Sequence, residues 1–243
     1  MTDQLPLPFI PRPDFSTLPF IRHPGAADAQ AWLTRADWPR LALWGDAGAG
    51  KSHLLHRWAA GRGAVVAGPG LSWPDLSAPG GAGPIAPGLL AIDDADQAPV
   101  LALLHTLNTA AEAGVPVLLA AREPPGRWPV TLPDLHSRLY ATIAVRLHAP
   151  DDDARARLFC RLLDDRQLVV SPALQAWLLT RLPRDPAALR DAAARLDHAA
   201  LAAQRAPTRA TAASALAPLL APLDDDNSMD DTCGCSLPEA QSG

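Results

Sequence analysis

Hydrophobic positions in this chain change their period near residue 150. Before that point, short and mostly apolar runs occur at 41–44, 64–67, 89–92, 115–121 and 142–147. Runs this short, bounded by glycine, proline or charge, read as buried strands. Helical composition and spacing lie between or before them, at 26–36, 53–58 and 100–113. Strands alternating with helices predict an α/β fold with a five-stranded, doubly wound parallel sheet. Past Pro150 the strand pattern stops. Segments 151–165, 171–182, 185–204 and 208–220 read as four helices with capping residues at or near their starts, together a helical lid subdomain.

Three stretches lack either period. Residues 1–14 are rich in proline, which biases each preceding residue toward extended geometry, so they read as an exposed arm. The Gly/Pro/Ala stretch between Gly68 and Gly88 reads as a surface loop. Residues 222–243 carry aspartates and few apolar anchors, and read as a disordered acidic tail. The expected organisation is therefore an arm at 1–14, an α/β subdomain at 15–149, a helical lid at 150–221 and the tail.

The 243 residues are 48% hydrophobic and 19% charged, with a net charge of −5, which argues against a chain that coats nucleic acid. No secretory pattern and no run long enough to span a bilayer is visible, so the expectation is a soluble, cytoplasmic protein with no membrane role. Cys160 falls in a predicted helix, and Cys233 and Cys235 in the tail; none has metal-finger spacing.

Candidate chemistry begins at Gly45, where G-D-A-G-A-G-K-S follows a predicted strand and leads into a predicted helix. That is a phosphate-binding loop in its required context. Gly45, Gly48 and Gly50 would let backbone N–H groups face the phosphates at a helix N-terminus. Lys51 would reach the β- and γ-phosphates, and Ser52 would hold Mg²⁺. A second element, L-L-A-I followed by Asp93 and Asp94, is a buried strand ending in two carboxylates. Asp93 is the candidate metal ligand and Asp94 the candidate for orienting an attacking water. Two aspartates after a strand also serve as a turn or helix cap.

These elements, with L-H-T-L-N at 104–108, A-R-E-P-P at 121–125, P-D-L-H-S-R-L at 133–139 and R-D-P-A-A-L at 184–189, resemble the DnaA-related AAA+ family over most of residues 4–206. Within it they are most similar to the short Hda-like regulatory inactivators of DnaA. The resemblance implies an AAA+ P-loop NTPase fold with a lid, bound ADP or ATP with Mg²⁺, and an arginine finger at Arg138 acting on a neighbouring subunit's γ-phosphate. It also implies a sensor arginine at Arg184 and base-contacting positions at Phe20 and Ile21. Arg138 alternatively reads as a surface arginine, and Arg184 as a helix-start partner of Asp185. Arg122 stands where the family commonly has an aspartate. That departure argues against efficient hydrolysis by this chain alone.

The arm completes the reading. Q-L-P-L-P-F resembles the sliding-clamp-binding peptide of Hda-like proteins. An extended peptide would offer Leu5, Leu7 and Phe9 to apolar pockets while Gln4 fixes register, with Pro8 lowering the ordering cost. The resemblance thus implies two partners, the DNA polymerase sliding clamp and DnaA, and allows a homo-oligomer. After the predicted lid only the short tail remains, so sequence-specific DNA binding is not expected. The function expected is an adaptor that docks on the clamp and promotes hydrolysis of DnaA-bound ATP, restraining initiation of replication. An autonomous ATPase of the helicase-loader or clamp-loader type is the alternative. His53, His56, His105 and His198 fall on predicted helices and receive no chemistry at this stage.

Overall fold

The computed structural model describes residues 20–35, 37–70 and 89–220. Gln4, Leu5, Leu7, Pro8 and Phe9 of the arm, the tail with Cys233 and Cys235, and nearly all of the Gly/Pro segment lie outside them. Five strands form one parallel sheet: β1 (Arg40–Trp44), β2 (Val65–Ala67), β3 (Leu90–Ile92), β4 (Val117–Ala121) and β5 (Ile143–Arg146). Their spatial order is β2-β3-β4-β1-β5. The strand expected at 115–121 begins later because Val115 completes the ending of the preceding helix, α3 (Val100–Glu112). Gly114 adopts φ +64°, Val115 N–H donates to Ala110 O at 2.8 Å, and Gly114 N–H donates to Ala111 O at 3.2 Å. This is a Schellman ending, which consumes Val115 before Pro116 can start the strand.

Strand alternation sends the two faces of β1 into different cores. Leu41 and Leu43 pack with α1 (Ala27–Thr34) and α2 (Lys51–Ala60), through Leu33, Leu54, Leu55 and Trp58. Ala42 faces Leu107 and Ala110 of α3 and Leu135 and Leu139 of α4 (Pro133–Tyr140). Both faces of β4 are covered, so all five of its residues are buried and its sequence is uninterrupted V-L-L-A-A.

The remaining helices form the third core. They are α5 (Asp152–Asp164), α6 (Pro172–Arg181), α7 (Pro186–Ala203) and α8 (Arg209–Leu216). Each starts on a side chain that accepts a helix N–H: Asp151 from Ala154, Ser171 from Leu174, Asp185 from Ala187 and Thr208 from Thr211. Phe159, Leu178, Leu189 and Leu196 are fully enclosed at its centre. Truncating Phe159 to Ala would cost about 3–5 kcal/mol by removing contacts and leaving a cavity. Among the described residues no helix is long and apolar enough to cross a membrane.

Candidate nucleotide-binding site

The interior strand β1, between β4 and β5, delivers the chain into residues 45–52 at its carboxyl end, the place where open α/β sheets take ligands. Gly50 is the N-cap of α2 with φ +97°, a left-handed conformation that turns the loop into the helix. Gly48 has φ +77°, and a Cβ there would stand 2.7 Å from Asp185 Oδ1 and 2.8 Å from Pro186 Cδ. The lid helix α7 therefore rests directly on the loop. Lys51 is buried, and its Nζ donates to Gly45 O at 2.7 Å and Asp46 O at 2.9 Å. Burial lowers its pKa, against the opposing pull of Asp93 and Asp94. A phosphate would restore a charged partner to this ammonium.

Ser52 and Asp93, 41 residues apart, meet across the site. Ser52 Oγ donates to Asp93 Oδ1 at 3.1 Å, and Asp94 N–H donates to the same oxygen at 3.1 Å. Asp93 Oδ2 faces His56 Nε2 at 3.8 Å. A hydroxyl and a carboxylate held together fit Mg²⁺, which takes one or two protein oxygens and completes its shell with phosphate and water. Among the described residues no group of three or more His, Cys, Asp or Glu gathers as a self-contained metal site.

Asp94 sits beside this pair in a left-handed conformation, φ +48°. Its pKa is raised, first by burial and then by Asp93 and Asp96, while Arg122 and Lys51 pull it back. Arg122 N–H donates to Asp96 Oδ2 at 3.0 Å, which ties the end of β4 to the turn after β3. The Arg122 charge is thus felt by both Lys51 and Asp94.

Beyond the loop lies a cleft of about 200 Å³ between sheet and lid. Phe20 and Ile21 line it, as do Pro150, Ala154 and Leu158 from the lid side. Phe20 packs edge-on to His53 with ring centroids 5.4 Å apart, and tilted to His23 at 5.8 Å. His23 is buried, its Nδ1 has no hydrogen-bond partner among the described residues, and burial lowers its pKa. A flat apolar slot ending in a phosphate loop suits a nucleobase joined to phosphates.

Arg184 is not brought to this cleft. Its side chain is 74% exposed and pairs with Asp152 at 3.0 Å, on a separate groove lined also by Arg155 and Leu179. Arg190 lines the cleft instead, and burial lowers its pKa. Pro186 and Arg190 are four residues apart on α7, one turn on one face, and both line the cleft. That spacing was the signal for Arg190; His23 and His53 had none beyond proximity to Phe20 and the loop.

Arg138 lies elsewhere again. It is on α4, 30% exposed in its side chain, with Asp134 Oδ1 3.4 Å from its Nε. Burial first, and then the Arg138 charge, lowers the pKa of Arg40, the first residue of β1. Arg40 precedes Gly45 by the length of the strand, about 16 Å at ~3.3 Å per residue. Arg138 is thus near the amino edge of the sheet, and the phosphate loop is at the carboxyl edge.

No protein family's model matches the chain, and no curated protein matches it in sequence. Its fold matches solved structures well. Domain III of the replication initiation protein DnaA from Thermotoga maritima superposes with a TM-score of 0.72, over 87% of this chain and 99% of that one, at 16% identity. DnaA from Aquifex aeolicus bound to AMPPCP gives 0.56 at 18% identity, over 71% of this chain and 62% of that one. The Thermotoga maritima RuvB Holliday junction branch migration motor gives 0.58 at 15% identity, over 80% and 66%. The fold is that of AAA+ P-loop domains. Its likeness extends to both DnaA and RuvB.

Proposed function

We propose that this chain is an adenine-nucleotide-binding AAA+ adaptor of the Hda-like type. It docks on the DNA polymerase sliding clamp through Gln4, Leu5, Leu7, Pro8 and Phe9, and promotes hydrolysis of DnaA-bound ATP. The observation that carries this reading is the position of Arg138. It lies a strand's length from its own phosphate loop, partly exposed on a short helix. An arginine so placed serves a phosphate on another molecule, where its fixed donors and permanent charge stabilise developing charge. ADP or ATP with Mg²⁺ would occupy Lys51, Ser52, Asp93 and the slot at Phe20 and Ile21, setting the lid that bears Arg190. AMPPCP bound to the Aquifex aeolicus DnaA supports an adenine nucleotide as the ligand.

The test has two arms. Deleting residues 1–10 should abolish clamp pull-down while leaving ADP binding intact, and Arg138→Ala should bind the clamp yet fail to stimulate ATP hydrolysis by DnaA. Unchanged stimulation by Arg138→Ala sinks the reading. A second reading, an autonomous ATPase, is favoured by the Ser52–Asp93 pair and the adjacent Asp94. Robust ATP turnover by the isolated protein would decide for it.

A further inference from the structure

The described residues end in the groove that carries Arg184. Leu219 and Leu220 close the last turn of the lid, both donating their N–H groups to Leu216 O, at 2.7 and 3.0 Å. With Leu179 they give an apolar lining to this open groove of about 740 Å³, and all three pack on the lid core. The point where the chain leaves the lid is therefore fixed at the groove itself.

The groove carries an excess of positive charge. Arg155, Arg181 and Arg184 line it, and Asp152 is its one carboxylate among the described residues. That carboxylate is divided, since Asp152 Oδ1 lies 3.2 Å from Arg155 Nη1 and 3.0 Å from Arg184 Nη2. Arg155 is buried and also donates to Leu182 O and Pro183 O, both at 3.3 Å, so it is spent on structure. Arg184 is exposed and Arg181 half-buried, and both turn charge toward solvent. Arg181 has no ion pair among the described residues. Its guanidinium lies over the Trp177 ring at 4.9 Å, and Arg209 of α8 lies over the same ring at 4.9 Å. Two cations on one carboxylate and two on one ring, beside exposed leucine surface, suit an acidic segment that also carries apolar side chains.

The residues that follow Leu220 have that chemistry. Positions 221–243 hold five aspartates, one glutamate and no lysine or arginine, and Leu223 and Met229 flank Asp224, Asp225 and Asp226. These three aspartates follow Leu220 by four to six positions, so at ~3.3–3.6 Å per residue they stay within about 20 Å of it. A tether this short holds them at an effective concentration on the order of millimolar, which offsets the small worth of each exposed ion pair.

We propose that this groove is the docking site of the chain's own acidic segment, residues 223–231, with its aspartates on Arg181 and Arg184 and its apolar side chains on the leucine lining. Docked there, the segment covers the cationic surface of the lid and competes with any other acidic ligand for it. The contact is independent of the nucleotide cleft and of the partners proposed above.

The experiment compares the intact chain with one that ends at residue 221, which keeps all four lid helices together with Leu219 and Leu220. The probe is a fluorescein-labelled peptide of residues 221–232, followed by anisotropy at low salt. The shortened chain should bind the peptide at least about tenfold more tightly than the intact chain, whose own segment occupies the groove. The intact chain with Asp224, Asp225 and Asp226 each changed to Asn should bind it as the shortened chain does. Arg181→Gln and Arg184→Gln in the shortened chain should each weaken binding about threefold or more, and added salt should weaken it further. Arg184→Gln alters an exposed side chain, so the test survives any loss of folding in Arg181→Gln. No binding by the shortened chain, equal binding by the intact and shortened chains, or binding indifferent to Arg184→Gln overturns the proposal. Dimers of the intact chain that vanish on shortening, seen by sedimentation, overturn it as well, because the segment then serves a second copy.

Discussion

Ser52 Oγ donates to Asp93 Oδ1 at 3.1 Å, which joins the first turn of α2 to the end of β3. Each strand ending alone is ambiguous, since a glycine-rich turn and an Asp-Asp cap both occur without chemistry. Their meeting places a hydroxyl and a carboxylate where one cation can take both. Magnesium should therefore tighten ADP binding in the wild-type chain, and Ser52→Ala or Asp93→Asn should remove at least about tenfold of that gain. Titrating a fluorescent ADP analogue with Mg²⁺ or with EDTA measures it. Equal magnesium dependence in wild type and both variants would separate this pair from metal binding.

Gly48 is the point where lid and loop touch. Alanine there needs a positive φ and brings its Cβ to 2.7 Å from Asp185 Oδ1 and 2.8 Å from Pro186 Cδ. Neither can yield freely, because Asp185 caps α7 through Ala187 N–H at 2.9 Å and Pro186 has a fixed ring. Gly48→Ala should push α7 off the loop. The expected result is loss of nucleotide binding by about tenfold or more, with a destabilisation of roughly 1–3 kcal/mol from the strained backbone. Chemical denaturation with and without ADP reads both quantities, and wild-type affinity in this variant would refute the contact.

Arg190 and Arg184 should separate cleanly. Arg190→Ala is expected to weaken ADP binding by about tenfold, having removed a charge at the cleft. Arg184→Ala should change it by less than about twofold, because its pairing with Asp152 is an exposed ion pair of small worth. The reverse order in equilibrium binding would mean that the lid closes on nucleotide with a different helix rotation.

The sequence and the structure diverge at those two arginines for a geometric reason. The motif R-D-P-A-A-L locates the start of α7 well, because Asp185 caps it and Pro186 takes the first position. It does not say how the helix is rotated against the loop. Arg184 precedes the helix and turns outward, whereas Arg190 lies one turn beyond Pro186 on the face that meets Gly48. The strands were legible for a simpler reason. Their apolar runs are continuous because both sheet faces are covered, and Val115 and Ala64 were placed in the strands although the endings of α3 and α2 claim them. His23 was illegible, since its burial depends on Pro24–Ala26 folding back, with Gly25 O accepting from His148 N–H at 3.0 Å.

Asp94 supplies a test through pH. Burial, Asp93 and Asp96 raise its pKa in the folded state above that of the unfolded chain. A raised carboxyl favours folding where both states are protonated. That support is lost as pH rises through the folded value, so at neutral pH the ionised Asp94 opposes folding. Asp94→Asn should therefore raise the melting temperature near neutral pH. The gain should shrink as pH falls and vanish below the ordinary carboxylate range, where wild type is itself neutral. The left-handed backbone at Asp94 does not confuse the comparison, because asparagine accepts φ +48° as readily as aspartate. Thermal melts of both chains across acid and neutral pH supply the measurement. A gain independent of pH would assign the effect to packing, and a loss at neutral pH would show that the Asp94 charge is held by a partner stronger than Lys51 or Arg122.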